Sequence, residues 1–431
     1  MTENTNHGEE ITDQRPEDKD IVVDLPYLPQ VETVLGELGV GIEAGSHRTN
    51  QALDLGVLTV ADVKASAALI DKRNAEKTEP DRYPPRARPV SDLDKILVAI
   101  RQHFQNYSEG WMPEIGKNRT MYGVHGAPHI GGSAYPKLAS ALTLEPGTGD
   151  KVRVGLIDTK LYPSEQFNGR VLTLGESFLD PDFPFTQLNG HATFTAGLIL
   201  DTAEGAVVIS KAVLSDEDAQ ATVWDVATAM AEFVNQNVSI LVLPLVCSTD
   251  DGEAPLAMQR AINVLRNKVV VVAAAGNHGD AKPDANRVVM PGERVPDVTR
   301  LAAFPAACAG AIAVGAVGPT VNGFARARFS PDLPWVQVVA PGYNVMSLFL
   351  TGKVKFRPVP GYVVPAESAT FEGGATWSGT SFAAAKLGGL IADAVAKGEG
   401  TAFQVAERLV NQKPLDGVGA YSLLPKEPVL P

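Results

Sequence analysis

The sequence predicts an α/β fold built on a mainly parallel sheet and preceded by a small α+β module. Between residues 143 and 424, short apolar runs rich in β-branched residues alternate with stretches whose apolar residues recur every three or four positions. Strands that are apolar on both faces and separated by amphipathic helices are typical of parallel sheets covered by helices. The 431 residues, 45% of them hydrophobic, suffice for one large core and a smaller second one.

Five parallel strands and two covering helices are predicted in the main region. The strands are residues 152–157, 206–214, 238–245, 269–275 and 311–317. The helices are residues 223–237 and 254–267, each with its apolar residues along one face. In such sheets the reactive groups collect at the carboxyl ends of the strands, so a site is expected at that edge.

Four other parts surround this region. Residues 1–20 are predicted to be a disordered acidic tail, because carboxylates crowd a segment without an apolar run. Residues 21–76 are predicted to form the α+β module. Residues 77–142 are expected to be a linker rich in proline and charge, with one amphipathic helix whose N-cap is Ser91. Residues 425–431 are expected to be a C-terminal tail.

Charge and cysteine content exclude several classes of protein. The formal net charge of -13 argues against a phosphate-neutralising surface, so nucleic acid is not an expected partner. The first residues lack the features of a signal peptide, and no apolar run reaches the roughly 18 to 20 residues of a membrane-spanning helix. We therefore expect a cytoplasmic protein without a membrane partner.

Cys247 and Cys308 are too few for a disulfide framework, and two buried reduced thiols are favoured over one optional bridge.

Three side chains in separate segments carry the groups that a serine nucleophile needs. Asp158 follows the strand 152–157, His191 lies among small residues flanked by glycines, and Ser381 lies at the expected start of an apolar helix. Taken singly, they also fit a turn former, a core histidine and a helix cap. Together they provide a hydroxyl, an imidazole to take its proton and a carboxylate to orient the imidazole.

Two hydrogen-bond donors for an oxyanion are also present. The strand 269–275 ends in Gly276 and Asn277, which places a side-chain amide at the carboxyl edge of the sheet. Ser381 offers its backbone N–H at the positive end of its helix. Asn277 also fits a turn residue with left-handed geometry, which is common in Gly-Asn pairs.

The order Asp158, His191, Asn277 and Ser381, each in its local context, resembles the subtilisin-like serine proteases, or subtilases, of peptidase family S8. Further similar blocks are residues 302–306, 311–317, 329–330 and 339–342. The resemblance covers roughly residues 151–396 and implies a three-layer fold. It also implies a serine endopeptidase that forms an acyl-enzyme intermediate, with Asp158, His191 and Ser381 as the triad and Asn277 and Ser381 as oxyanion-hole donors.

The chain departs from the family pattern at three positions. Lys160 and Ala192 stand where the family usually has glycine, and Ala385 where it usually has proline. None of these changes removes a reacting group, so an active enzyme is expected. Two alternatives remain: a catalytically silent subtilisin fold that binds peptides or acts as a scaffold, and another Ser-His-Asp hydrolase. The second normally has the serine first, in a Gly-x-Ser-x-Gly elbow, which Ser381 lacks.

The resemblance also implies that the substrate is a protein or peptide bound as an extended strand. Six residues are expected to bind it: Leu243, Pro244, Leu245, Val246, Ala274 and Gly276. Val246 stands where the family has a pocket-wall glycine, so we expect a narrowed pocket and a preference for small or medium apolar residues before the scissile bond.

Three further features are left with two interpretations each. The N-terminal module is either a removable pro-segment or a permanent adaptor that docks a partner, and self-cleavage between residues 119 and 151 would favour the first. The insert at residues 343–374 reads as a hairpin-like excursion that rims the cleft, or as a plain surface loop. No cofactor is certain. Calcium is possible at the acidic clusters 180–182 and 216–218, which otherwise are solvated loops.

Overall fold

The structure is a computed structural model. It describes residues 19–77, 82–83, 91–123, 135–148, 151–181, 184–249, 252–279, 297–321, 323–359 and 363–411, and the backbone at 421–422 and 429–430. The chain divides into two compact units: Met1–Thr49 with Asp54–Thr120, and Asn50–Leu53 with Met121–Pro431. Among the described residues, no helix combines the length and apolar character needed to cross a bilayer.

The first unit is a four-stranded sheet with three helices. Its elements are β1 (Asp20–Asp24), α1 (Leu28–Leu38), β2 (Arg48–Asn50), β3 (Leu55–Thr59), α2 (Val63–Glu76), α3 (Asp92–Tyr107) and β4 (Ile115–Lys117). The strand order is β2-β3-β1-β4, and β1 runs antiparallel to both of its neighbours. This confirms an α+β module.

The first unit extends further than the sequence predicted. Ser91 caps α3 as predicted, in a capping box with Asp94. The apolar stripe of α3, which includes Ile96 and Ile100, packs in one core with Ile21 and Leu35. The helix therefore belongs to the module and not to a linker over residues 77–142, because its apolar face is buried against the sheet.

The N-terminal boundary also differs from the expectation. The tail was expected to reach residue 20, but Asp20 begins β1, where its carboxylate accepts hydrogen bonds from Thr59 Oγ1 at 2.7 Å and Asn118 Nδ2 at 3.1 Å. Arg48 donates to the same carboxylate. Asp20 is thus a buried, satisfied acid of the fold. Residues 1–18 lie outside the described part of the chain.

The second unit contains the remaining elements. They are β5 (Thr120–Gly123), β6 (Lys137–Leu138), β7 (Val152–Asp158), β8 (Val171–Thr173), α4 (His191–Thr202), β9 (Ala206–Ala212), β10 (Gln220–Thr222), α5 (Val223–Glu232), β11 (Ile240–Leu243), β12 (Leu245–Ser248), α6 (Leu256–Leu265), β13 (Val270–Ala274), β14 (Ala303–Phe304), β15 (Ala311–Thr320), β16 (Gly323–Ala327), β17 (Val338–Pro341), β18 (Val345–Lys355), β19 (Ser368–Trp377), α7 (Thr380–Ala396), α8 (Ala402–Val410), β20 (Tyr421–Ser422) and β21 (Val429–Leu430).

The main sheet has the order β20-β17-β15-β13-β11-β7-β9-β8, with β16 and β21 attached beside β15. Its pairs from β17 to β8 are all parallel. Alternate side chains of β11 face different helices: Val242 lies against Gly388 of α7, whereas Leu241 lies with Phe233, just after α5, around Gly155. The sheet is thus the middle of three layers, which confirms the predicted fold class.

Two predicted boundaries were wrong. The expected strand 238–245 is divided at Pro244 into β11 and β12, because proline has no N–H to give to the sheet ladder. Within the expected C-terminal tail, Val429–Leu430 forms β21, which pairs with β16. The insert at residues 343–374 does form a hairpin, of β18 and β19, extended by β6.

A smaller sheet stands beside the main one and has the order β10-β5-β12-β14. In it, β5 runs antiparallel to β12, with Gly123 opposite Leu245 and Tyr122 opposite Val246. The Gly123 N–H also donates to the Ala219 carbonyl, just before β10, at 3.0 Å. A segment that precedes the main sheet in sequence therefore occupies the edge of β12.

Candidate active site

Asp158 and His191 form a buried pair at the carboxyl edge of the main sheet. Asp158 is the last residue of β7, and His191 is the first of α4. His191 Nδ1 lies 2.8 Å from Asp158 Oδ1 and 2.9 Å from Oδ2, and both side chains are at most 1% exposed. Because an ionised carboxylate only accepts hydrogen bonds, Nδ1 carries the proton and Nε2 is the nitrogen directed away from Asp158.

Two threonine hydroxyls tie the end of β7 to the first turn of α4. Thr159 Oγ1 accepts a hydrogen bond from the Ala192 N–H at 3.3 Å, and its own N–H donates to Asp158 Oδ1 at 2.7 Å. Thr193 Oγ1 accepts from the Tyr162 N–H at 2.8 Å. These contacts fix the strand end against the helix start, so the spacing of the carboxylate and the imidazole is set by the fold.

The His191 ring is packed between aromatic side chains that sequence reasoning missed. Its centroid lies 5.9 Å from that of Trp377 and 5.5 Å from that of Phe382. Trp377 ends β19, and Phe382 follows Ser381 in α7. The imidazole is therefore held against the beginning of the helix that carries Ser381. Two aromatic residues flanking that serine in sequence were the available signal.

Ser381 lies in the first turn of α7 and is 1% exposed. Its hydroxyl donates to the Pro244 carbonyl at 3.1 Å. Pro244 is the residue between β11 and β12, so the hydroxyl lies where the main sheet passes into the smaller one. The structure thus brings Ser381 to the β12 edge.

Asn277 is held by the residue before the serine. Its Oδ1 accepts from the Thr380 N–H at 2.9 Å and from Thr380 Oγ1 at 3.1 Å, and Thr380 Oγ1 accepts from the Gly276 N–H at 3.0 Å. With Oδ1 engaged, the amide orientation is set and Nδ2 is the donor on its other side. Thr380, which sequence reasoning did not single out, orients this amide.

The six expected substrate-binding residues lie together around the ends of β11, β12 and β13. They are Leu243, Pro244, Leu245, Val246, Ala274 and Gly276. Gly276 has a φ of +90°, and a Cβ there would lie 2.7 Å from His278 Nδ1, so glycine is required. The His278 ring is buried, with Nε2 3.0 Å from the Leu301 carbonyl, and burial lowers its pKa from 6.5.

Both cysteines are buried free thiols, as the sequence predicted. Burial is the main cause that raises the pKa of Cys308 to about 12, so this thiol is an inert core group at neutral pH.

The two acidic clusters, at residues 180–182 and 216–218, are only partly described by the structure. In the part of the chain that the structure describes, no group of three or more His, Cys, Asp or Glu side chains is placed to hold a metal ion. Asp216 instead forms an ion pair with Lys160 at 3.0 Å, and its hydrogen bond raises the pKa of Lys160. Asp182, in the other cluster, lies outside the described residues.

A mainly parallel sheet with a buried Asp-His pair, a serine at a helix start and an oriented asparagine is an arrangement typical of α/β serine hydrolases. The family model of the subtilase family matches residues 149–417. The chain belongs to the subtilase family.

Several characterised proteins are similar to this chain. The thermophilic serine proteinase of Bacillus sp. (strain AK1) is 29% identical over 205 residues, which cover 45% of this chain and 44% of that protein. Subtilisin BL of Lederbergia lenta is 30% identical over 214 residues, covering 47% of this chain and 68% of that protein. The chain spans about half the length of the curated relatives it matches first.

Among solved structures, fervidolysin from Fervidobacterium pennivorans, a keratinolytic enzyme related to subtilisin, resembles this chain in fold. The TM-score is 0.50 and the identity 16%, over 91% of this chain and 56% of that one.

Proposed function

We propose that the protein is a serine endopeptidase that uses Asp158, His191 and Ser381 as its triad. The observation that carries the proposal is the buried contact of His191 Nδ1 with both oxygens of Asp158, at 2.8 and 2.9 Å, beside the helix of Ser381. Membership of the subtilase family supports the same chemistry.

The chemistry assigns one role to each group. Ser381 Oγ bonds to the scissile carbonyl carbon while His191 Nε2 takes the hydroxyl proton of Ser381. Asp158 stabilises the resulting imidazolium. The C–N bond then breaks, and His191 returns the proton to the leaving amine. Water, activated by the same imidazole, hydrolyses the acyl-enzyme. The Ser381 hydroxyl, which faces Pro244, turns towards His191 for the first step.

The oxyanion is assigned to two donors. Asn277 Nδ2 and the Ser381 N–H stabilise the charge that forms on the carbonyl oxygen, and each such donor is worth about 3 to 4 kcal/mol of barrier. The two hydrogen bonds from Thr380 to Asn277 Oδ1 support this assignment, because they fix the orientation of the amide and put its NH₂ group on the side away from Thr380.

Substrate peptides bind, in this proposal, as an extended strand between β10 and β12. The pairing of β5 with β12 supports it, since the chain itself shows that this edge accepts an antiparallel strand. Backbone hydrogen bonds of this kind supply affinity, and side-chain pockets supply selectivity. Val246, which is buried, narrows the pocket for the residue before the scissile bond.

The N-terminal module is proposed to be a removable, inhibitory pro-segment in preference to a permanent adaptor. In β5, Tyr122 and Gly123 occupy the edge that a substrate would need. Gly123 lies opposite Leu245, and the carbonyl of Pro244, the residue before Leu245, accepts the Ser381 hydroxyl. The proposed cut is therefore the bond from Val124 to His125, although both residues lie outside the described part of the chain.

Two further observations agree with a cut in this segment. Tyr135 and Leu144 are part of the buried core of the second unit, so a cut that spares the core falls before residue 135. Valine is also a medium apolar residue, as the narrowed pocket requires.

A cytoplasmic location is proposed on the basis of the two buried free thiols, which suit a reducing compartment. The net charge of -13 supports the absence of a nucleic-acid partner.

The enzyme proposal is tested with a fluorophosphonate probe, which labels activated serine nucleophiles. We expect the wild-type protein to be labelled and the Ser381→Ala variant not to be. Protein that folds but stays unlabelled even after limited proteolysis has removed residues 1–124 would instead identify a silent fold that binds peptides or acts as a scaffold.

A further inference from the structure

The hairpin of β18 and β19 lies along the helix that begins with His191. Ser347 Oγ, in β18, donates to the Phe194 carbonyl of α4 at 2.7 Å. Gly190, just before His191, faces Phe349 so closely that a Cβ would lie 2.0 Å from the ring. The hairpin therefore supports α4 from the residue before the histidine onward.

Past the end of β18, a buried glutamine is paired with one residue of the backbone. Arg357 N–H donates to Gln187 Oε1 at 2.8 Å, and Gln187 Nε2 donates to the Arg357 carbonyl at 3.1 Å. Gln187 is 0% exposed. Because both ends of its amide are engaged at one residue, the position and the orientation of this side chain are fixed together.

A tyrosine completes the same unit. Tyr135 Oη donates to the Arg357 carbonyl at 3.1 Å and accepts from the Val359 N–H at 3.1 Å. Its ring packs edge-on against Phe356, with centroids 5.4 Å apart. The Arg357 carbonyl thus accepts two hydrogen bonds, one from Gln187 and one from Tyr135.

Gln187 precedes His191 by four residues, and one turn of 3-10 helix joins the two. The 3-10 helix Gln187–Gly190 leads directly into α4, and Thr186 and Asn189 close its start in a capping box. Asn189 Nδ2 also donates to the Asp216 carbonyl at 2.7 Å. A displacement of Gln187 would therefore be passed to the first residue of α4, which is His191.

We propose that Gln187 is a positioning residue for His191, acting through the backbone of Arg357, and that Tyr135 supports it there. This inference rests on the proposed function, in which His191 is the base. A misplacement of about 1 Å costs on the order of 100-fold in rate when it lies at the reacting groups. The two contacts of His191 with Asp158, at 2.8 and 2.9 Å, leave little room for such a shift.

The test compares Gln187→Leu and Tyr135→Phe with the control Gln259→Leu, in which a half-buried α6 glutamine loses its hydrogen bonds to Asn263 and to the Ala309 carbonyl. We expect Gln187→Leu to lower kcat and the rate of fluorophosphonate labelling by about 10- to 100-fold, with KM within about twofold. Tyr135→Phe should lower both rates about three- to tenfold, and the control should leave them unchanged. Because the first two changes act on one backbone residue, the double variant should be at most about twofold slower than Gln187→Leu alone.

A second measurement decides the matter independently of activity. In the Ser381→Ala background, the Nδ1 proton that His191 shares with Asp158 should give a low-field proton NMR signal, and Gln187→Leu should shift or broaden it. Wild-type rates and an unchanged signal in Gln187→Leu would overturn the inference. If that variant does not fold, unchanged rates in Tyr135→Phe overturn it. If protein freed of residues 1–124 is not labelled, the proposed function fails and the NMR signal still tests the positioning role.

Discussion

Thr380 holds the side-chain carbonyl of Asn277 with both of its donors, the backbone N–H at 2.9 Å and the hydroxyl at 3.1 Å. The same hydroxyl accepts from the Gly276 N–H at 3.0 Å, so it joins the end of β13 to the start of α7. The residue beside the nucleophile thereby fixes the amide proposed to stabilise the oxyanion, which leads to a first prediction.

Replacing Thr380 by valine should lower kcat about tenfold with little change in KM, because the variant keeps the side-chain shape but loses the hydroxyl bond to Asn277. Thr380→Ser, which keeps the hydroxyl, should stay within about threefold of wild type. Steady-state kinetics on a peptide substrate checks both. Equal losses in the serine and valine variants would argue against a role for the hydroxyl.

Asp158→Asn should lower kcat by about 10,000-fold, because an amide no longer selects the tautomer with the proton on Nδ1. The Thr159 N–H contact to the side-chain oxygen can persist, so the variant should remain folded. Rates of peptide hydrolysis, with circular dichroism for folding, measure the effect. Near wild-type turnover in a folded Asp158→Asn variant would remove Asp158 from the triad.

The free energy of unfolding should decrease as the pH is lowered, and protonation of His278 should account for part of the decrease. Burial lowers the pKa of its ring below 6.5, so the unfolded chain binds this proton at a higher pH than the folded one. The stabilisation that the neutral His278 ring gives to the folded state is therefore complete above pH 6.5. It is lost as the pH falls from 6.5 towards the pKa of the folded state. Thermal unfolding at pH 8 and at pH 5.5 should show a smaller acid loss of Tm for His278→Gln than for wild type. An equal loss in both proteins contradicts this assignment.

Purified wild-type protein should process itself, and its stable fragment should begin at His125. Ser381→Ala should remain intact, which separates self-cleavage from contaminating proteases. Val124→Asp should block the cut, because an apolar pocket rejects a carboxylate, whereas Val124→Ala should permit it. Intact mass over time, with N-terminal sequencing, follows the reaction. An intact wild-type chain that is labelled by the fluorophosphonate would favour a permanent module.

Val246→Gly should broaden the residues accepted before the scissile bond. The wild-type side chain is buried in β12, and removing it frees space in the proposed pocket. In a peptide library, we expect wild type to prefer Ala and Val over Phe and Tyr before the scissile bond. In the variant, kcat/KM for peptides with Phe or Tyr at that position should rise about tenfold, which is the effect of one or two methylene-sized contacts. Efficient cleavage after Phe or Arg by wild type would refute the narrow pocket.

Local pattern was enough to predict much of this fold. The strand of residues 269–275 and the cap at Ser91 are visible because apolar runs and capping residues act over a few neighbouring positions. The break at Pro244 was not predicted, although the N–H that proline lacks was the signal that could have shown it.

Contacts between distant segments were not predictable in this way. The four residues of β5 show no periodicity, and their partner β12 begins more than one hundred residues later, so only the folded chain reveals the pair. The apolar stripe of α3 predicts that the helix is buried, but not that its partner is the sheet of β1 and β3. The order of Asp158, His191 and Ser381 led to the proposed chemistry, whereas Thr380 and Gln187 become visible only through their hydrogen bonds.

With β14 on one side and β5 on the other, β12 has no open flank. An unpaired strand edge is a template on which other copies of a protein can stack and aggregate. By pairing with β12, β5 keeps this edge from serving as such a template. Loss of β5 would expose that edge. The four residues of β5 therefore protect the solubility of the chain while they are present, and their removal opens the same edge to other polypeptides.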